Sequence, residues 1–426
     1  GRGHPPNRNG AAYADLDKDG DLDLSENNSK KPAFIYENIV DKKTGNYLQI
    51  SLTGENMNTQ GIGAKVSVFS GGKQFFLEQF PARGYLSAVS PILNIGLGDA
   101  PKIDSLIITW QSGKQEKRTD IAINSTINLE EKNAIMAKPS TTKYASIFTP
   151  IKSPIKYTNS STTARDFDRQ KLLIGELSTH GPCMAKGDLN GDGMEDLFIG
   201  GAAGQPASVF FQGKNGQFTT AKIPAFEQDK SSEDADAAVF DANGDSHLDI
   251  YVASGGYHQF QPDDPALQDR LYLNDGKGSF AKAQNALPKM TASKGCVAVG
   301  DVNGDGHPDL FVSGRVVPGR YPEPPASYLL INDGKGNFSD QTKALAPDLA
   351  QTGMVCDAVW VDVNQDGKED LVTVGEWMPV AAYLNEGGKL KPATEQVFGK
   401  ALNGFWNCIE VADLNDDGRP DFIVGN

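Results

Sequence analysis

Gly187-Asp188-Leu189-Asn190-Gly191-Asp192-Gly193-Met194-Glu195-Asp196-Leu197-Phe198-Ile199-Gly200-Gly201 is the stretch on which the fold turns. Acidic and amide side chains alternate with small residues up to Asp196, and a short apolar run closed by glycine follows. The nine-residue pattern inside it, D-x-[DN]-x-D-[GS]-x-x-D, occurs six times, at 15–23, 188–196, 241–249, 301–309, 362–370 and 413–421. The last five copies start 53, 60, 61 and 51 residues apart. Self-similarity at such a period marks a repeat architecture.

Outward from each loop the same grammar continues. Short β-like runs follow at 197–199, 250–252, 310–312, 371–374 and 422–424. Asn274-Asp275-Gly276-Lys277-Gly278 and its near copy 332–336 read as hairpin turns, since Asn, Asp and Gly tolerate positive φ, and 385–390 is a looser version. A unit of 50–60 residues with several short strands suits a four-stranded propeller blade better than a solenoid coil, whose repeats are shorter. Residues 46–135 differ: strands alternate at 47–52 and 64–69 without a metal-type loop, which reads as a separate β-sandwich. Residues 136–163, rich in Pro, Ser, Thr and Lys, read as a linker.

The loops themselves suggest a hard cation. Side chains at positions 1, 3, 5 and 9 of a tight loop can converge, with the position-7 carbonyl as a further ligand. Oxygen-only donors with several carboxylates suit Ca²⁺ better than the smaller Mg²⁺. The candidate ligands are Asp15, Asp17, Asp19, Asp21 and Asp23; Asp188, Asn190, Asp192, Met194 and Asp196; and Asp241, Asn243, Asp245, His247 and Asp249. The later copies supply Asp301, Asn303, Asp305, His307 and Asp309; Asp362, Asn364, Asp366, Lys368 and Asp370; and Asp413, Asn415, Asp417, Arg419 and Asp421. Position 6 is Gly in five copies and Ser246 in the third. An EF-hand would need Glu at position 12 between helices, but that position is Ile199, Val252, Val312, Thr373 or Val424 in five copies, inside β-like runs. Asp, Asn and Gly also make plain solvated turns. Six copies with fixed spacing go beyond that, because clustered carboxylates repel without a cation. The formal charge is −15, and six Ca²⁺ would offset most of it.

These residues carry a family resemblance. The later repeats resemble FG-GAP/VCBS repeats over about 165–426, which implies an integrin-α-like β-propeller, usually seven-bladed, with calcium in the blade loops. Asn58, Gly61-Ile62-Gly63-Ala64-Lys65-Val66, Gly84-Tyr85-Leu86-Ser87, Asn94-Ile95-Gly96-Leu97-Gly98 and Trp110-Gln111-Ser112-Gly113 resemble the ASPIC/UnbV domain of the cartilage acidic protein family. The expected fold class is therefore all-β: propeller blades with a separate β-sandwich. The expected domains are a terminal repeat of a preceding propeller at 1–45, the ASPIC/UnbV-like sandwich at 46–135, a linker at 136–163 and an incomplete propeller at 164–426, all within a longer polypeptide. The resemblance implies an extracellular, cell-surface or periplasmic location.

Function is narrowed mostly by exclusion. Acidic residues outnumber basic ones by 55 to 40, which disfavours a nucleic-acid partner. No apolar run is long enough to span a bilayer. Cys183, Cys296, Cys356 and Cys408 lie far apart without a zinc spacing, and they read as small buried thiols. No nucleophile elbow, triad grouping or separate carboxylate pair stands out, so no catalytic residue is assigned. The reading is a non-enzymatic calcium-binding module for adhesion, binding or scaffolding, with a protein or glycan ligand. A glycan-active enzyme using a propeller face is the alternative. The expected ligand face comprises Tyr257, Arg315, Arg320, Tyr321, Glu376 and Trp377, in loops at equivalent points of successive repeats.

Overall fold

The computed structural model describes residues 8–29, 32–39, 45–84, 86–137, 148–160, 164–179 and 181–426. Tyr85, His180 and residues 138–147 and 161–163 of the expected linker lie outside the described residues. Two compact units divide the chain, residues 1–149 and residues 150–426.

In the first unit, strict alternation of apolar and polar residues builds two sheets over one core. The strands Asn46–Thr53, Leu93–Gly98 and Ser125–Glu130 form a three-stranded sheet. A second sheet holds Lys65–Ser70, Lys73–Glu78, Ser105–Thr109, Lys114–Arg118 and Ile135–Met136. Successive side chains on a strand point to opposite faces. Leu48, Ile50 and Leu52 of one sheet therefore pack against the same core as Val66, Val68, Leu106 and Ile108 of the other. The first acidic loop joins Arg8–Ala14 to Asp23–Asn28 in a separate three-stranded sheet.

The second unit is a succession of antiparallel up-and-down sheets. The first runs Met184–Gly187, Asp196–Ile199, Ser208–Gln212, Phe218–Ala221, and the second Glu233–Phe240, Asp249–Gly255, Arg270–Asn274, Phe280–Lys282. The third runs Ser293–Gly300, Asp309–Val316, Tyr328–Asn332, Phe338–Asp340. The fourth runs Met354–Val361, Asp370–Pro379, Ala381–Asn385, Leu390–Pro392, with Asn403–Phe405 added beside Asp370–Pro379. Cys408–Ala412 and Asp421–Gly425 form a lone hairpin. In each sheet the acidic loop joins the first strand to the second.

The second strands are buried on both faces, so they read as continuous apolar runs. Their alternation sets the cores between neighbours. Ile250 and Val252 pack toward the first sheet with Phe198 and Val209, whereas Tyr251 and Ala253 share a core with Leu310 and Val312 of the third. Phe311 then packs with Leu371 of the fourth, and Val372 and Val374 with Ile409 near the end of the chain. Five residues before each loop, the first strands or their approach carry Cys183, Asp236, Cys296, Asp357 and Cys408. The two Asp side chains reach the next sheet, Asp236 accepting from Val297 N at 2.9 Å and Asp357 from Ile409 N at 3.0 Å. All four cysteines are free; Cys296 is buried and Cys408 exposed.

The expected β-propeller fold is corrected by these sheets. The chain is mostly β, but among the described residues no sheet is closed on itself or curled into a barrel or propeller blade. Closure requires every sheet to find a partner on both sides. The second unit supplies four open sheets and a two-stranded hairpin, joined core to core, and each keeps free edges.

Candidate functional site

Each acidic loop is held by the same ladder of side-chain to backbone hydrogen bonds. In the copy at 188–196, Asp188 Oδ1 accepts from Gly191 N at 2.8 Å and Asp192 N at 3.1 Å, and Oδ2 accepts from Gly193 N at 2.8 Å. Asn190 Oδ1 accepts from Asp192 N, and Asp192 Oδ1 from Met194 N. Short Asx side chains capping nearby N–H groups favour such a reversal over a strand. The ladder recurs at 241–249 and 301–309, and its bonds from positions 5, 6 and 7 recur at 362–370 and 413–421. Position 6 lies at positive φ in every copy, from Ser246 at 68° to Gly20 at 98°.

Position 9 has a second task that its spacing alone did not announce. Asp249 is fully buried. Its Oδ2 accepts from Ala242 N at 3.0 Å within the loop, and its Oδ1 from Asn274 N at 2.8 Å at the end of the third strand. Asp23, Asp196, Asp309 and Asp370 each make the equivalent pair of bonds. Burial, opposed by these bonds, pushes the Asp249 and Asp309 carboxyls up to about 6, with the loop's other Asp residues adding to the rise. At position 1 of the copy at 188–196, burial is outweighed by backbone donors, and Asp188 lies below the usual carboxylate range.

The arrangement can hold a hard cation at the loop mouth. In the first copy the carboxylates of Asp15, Asp17 and Asp19 bring one oxygen each within 4.8 Å of the others, a spacing one Ca²⁺ can bridge. Gln49 donates to Asp15 Oδ2 at 2.6 Å beside them. In the later copies position 3 is Asn, and Asn243, Asn303 and Asn364 donate from Nδ2 to the position-5 carboxylates Asp245, Asp305 and Asp366. The side chains of His247 and His307 lie over the hairpin of their own sheet, where a Cβ on Gly276 or Gly334 would come within 2.6 Å of the ring. At position 7 the side chains of Met194, Lys368 and Arg419 offer a hard cation no oxygen, which leaves the main-chain carbonyl as the candidate donor there.

Between repeats the loops are clamped by an asparagine that the sequence had shown only as part of a turn. Asn274 Nδ2 donates to Leu189 O of the preceding loop at 3.0 Å and to Leu248 O of its own at 2.9 Å. Asn332 bridges Ala242 O and Pro308 O, and Asn385 bridges Val302 O and Glu369 O.

At the opposite strand ends, the expected ligand face converges but is largely covered by its own chain. Tyr321 Oη donates to Glu376 Oε2 at 2.8 Å, Arg315 pairs with Glu376 Oε1 at 2.5 Å, and Trp377 Nε1 donates to Tyr321 Oη at 2.9 Å. Tyr257 and Tyr321 are buried against Phe167, Leu173 and Leu177. Gln170 accepts from Tyr257 Oη and Tyr321 N, while Arg169 donates to the carbonyls of Tyr257, His258 and Phe260. Arg320 and Trp377 stay exposed. The segment 165–178 that covers this face carried no repeat signal. Its anchor is Asp166, fully buried, which accepts from Leu177 N, Ser178 N and Ser178 Oγ.

Comparison with known proteins agrees with the two sequence patterns. Residues 54–135 match the family described as ASPIC and UnbV, and residues 188–252, 254–312 and 362–424 match the FG-GAP-like repeat. No curated protein matches the sequence. A solved structure of an Agrocybe aegerita lectin, described as recognising non-reducing terminal N-acetylglucosamine, shares 14% identity over 82% of this chain and 94% of its own, with a TM-score of 0.34. The V. cholerae biofilm matrix protein Bap1 shares 17% identity over 57% of this chain at a TM-score of 0.29, and the match spans 34% of that protein. Both likenesses are too remote to bear on function.

Proposed function

Because the chain carries an ASPIC/UnbV domain and FG-GAP-like repeats, we propose that it is a calcium-stabilised, non-enzymatic binding module of an exported or surface protein. Calcium is held by positions 1, 3, 5 and 9 and the position-7 carbonyl of up to six loops. The observation that carries this reading is the ladder repeated from loop to loop, together with the carboxylates of Asp15, Asp17 and Asp19 crowded within 4.8 Å of one another in the first copy. Like charges so placed repel unless a cation sits between them. Among the described residues no helix is long and apolar enough to cross a membrane. The protein or glycan ligand is met by the repeat unit, with Arg320 and Trp377 as its exposed anchors.

Calcium supplies stability here, and each loop's residues supply its cage. A site filled at a hundredfold excess over its Kd adds about 2.7 kcal/mol, so several together rival a domain's net stability of about 5–15 kcal/mol. Thermal melting in excess chelator is therefore expected to fall steeply, with recovery in Ca²⁺ and less in Mg²⁺. An unchanged melting curve would refute the calcium reading.

A further inference from the structure

The second unit holds a cavity of about 410 Å³ at the strand ends remote from the acidic loops. The run from Glu233 to Asp241 places it roughly 25 Å along the strand from the nearest loop. Glu233, Lys294, Arg315, Tyr257 and the thiols of Cys183 and Cys356 are among its lining groups, drawn from four successive repeats.

Most of the polar groups there are already satisfied. Lys294 Nζ is shared between Asp269 at 3.0 Å and the carbonyls of Leu267 and Met290. Ser293 Oγ donates to Gly256 O at 2.8 Å. Asp234, next to Glu233, is paired with the buried Arg270 at 2.7 Å and accepts from Gly201 N. Two groups break the pattern. Arg315 binds Glu376 through Nη2, yet its Nη1 is buried with no hydrogen-bond partner. Glu233 has no partner among the described residues, and its Oε2 lies 3.0 Å from where a Cβ on Gly256 would stand. A buried donor and a half-buried carboxylate left open are costly unless something completes them.

We propose that this cavity binds a small primary ammonium compound carrying an acceptor oxygen, its ammonium on Glu233 and its oxygen on Arg315 Nη1. The Arg315 charge is balanced by Glu376, so the cavity's uncompensated charge is that of Glu233, which selects a cation. A volume of about 410 Å³ is at the lower end for ligand pockets and admits roughly a dozen non-hydrogen atoms at about 30 Å³ each. Amino-acid amides, amino alcohols and amino sugars fall in that class. Burial, then Asp234 and Asp166, push the Glu233 carboxyl up to about 7, and a bound cation reverses that penalty. The site uses no residue of the acidic loops, so it stands or falls independently of calcium.

The test is ligand-observed NMR on the full chain saturated with Ca²⁺, using glycinamide, ethylammonium and acetamide as probes. Glycinamide is expected to bind, ethylammonium at least about tenfold more weakly, and acetamide not at all. Glu233→Gln should lower the glycinamide affinity by tenfold or more, and Arg315→Lys, which keeps the charge beside Glu376, by about threefold. Equal responses to glycinamide and acetamide in the parent would overturn the proposal without recourse to any variant. So would a Glu233→Gln protein that binds glycinamide as well as the parent, or the absence of any glycinamide response.

Discussion

The two ends of the repeat sheets follow opposite rules. At the loop end, every copy keeps the ladder's bonds from positions 5, 6 and 7, five of the six bury the position-9 Asp while Asp421 is half-buried, and three repeats share the Asn clamp. At the far end, equivalent positions hold unlike residues, and the cavity, the Arg315–Glu376–Tyr321 cluster and the covering segment 165–178 each occur once. The loop end thus behaves as a structural repeat, whereas the far end has diverged from copy to copy. Divergence on a constant frame is where individual binding properties reside, which is why the ammonium proposal rests there.

The sharpest way to break this contrast is to remove one clamp. Asn332→Ala deletes two donated bonds, to Ala242 O and Pro308 O, and the acceptor for Gly334 N. Leaving buried carbonyls open costs about 1–3 kcal/mol each when no water reaches them, and partial access should bring the total to about 2–3 kcal/mol. Urea unfolding of the calcium-loaded protein measures it. A loss below about 0.5 kcal/mol would mean that adjacent loops are held by packing alone, and the clamp would be incidental.

The far end is probed by pH. Glu233 is raised to about 7 in the fold, against about 4.3 in an unfolded chain. The native state therefore binds the proton more tightly, and stability falls as pH rises between those two values. Glu233→Gln removes that slope. Parent and variant should differ little at pH 4, and at pH 8 the variant should be more stable by about 2 kcal/mol, discounted from the full linkage value for the partial exposure of this side chain. Chemical unfolding at the two pH values decides the matter. A parent that gains stability relative to the variant on going to pH 8 would show that Glu233 is paired after all.

What could be read from the sequence follows the same division. Each ladder closes within nine residues, so its chemistry is written as local spacing, from Asp188 to Asp196 and again four times along the repeats. The apolar runs after each loop and the N-D-G-K-G hairpins were legible for the same reason. The far end is made by contacts between residues 87 and 151 positions apart, as Gln170 makes with Tyr257 and Tyr321, and no local pattern records them. Tyr257 and Tyr321 can be read from their in-phase loops either as ligand anchors or as packing over the loops, and the segment that buries them lies outside the repeat. The propeller expectation failed at the step from repeat to assembly. Repetition fixes how one sheet is threaded and which faces are apolar, but it does not fix how a set of such sheets closes.

The smallest expected effect tests whether the loop end is as uniform as its ladder suggests. Ser246 occupies a position that is Gly in the other five copies, at a φ of 68°. Its N–H still donates to Asp241 Oδ2 at 2.8 Å, so the ladder is intact and the anomaly is the Cβ in a left-handed conformation. That conformation costs a non-glycine residue about 1–2 kcal/mol, and glycine returns part of the gain through its more flexible unfolded chain, about 0.4–1 kcal/mol. Ser246→Gly should then stabilise the protein by about 0.5–1 kcal/mol. Because the parent loop is held against a strained turn, the 241–249 site should also be the weakest calcium site in the second unit, and the variant should fill it at lower Ca²⁺. Site-resolved occupancy from anomalous scattering along a calcium series would report both. If 241–249 fills before the glycine-bearing loops in the parent, ligand geometry rather than turn strain sets the order, and Ser246 is no handicap.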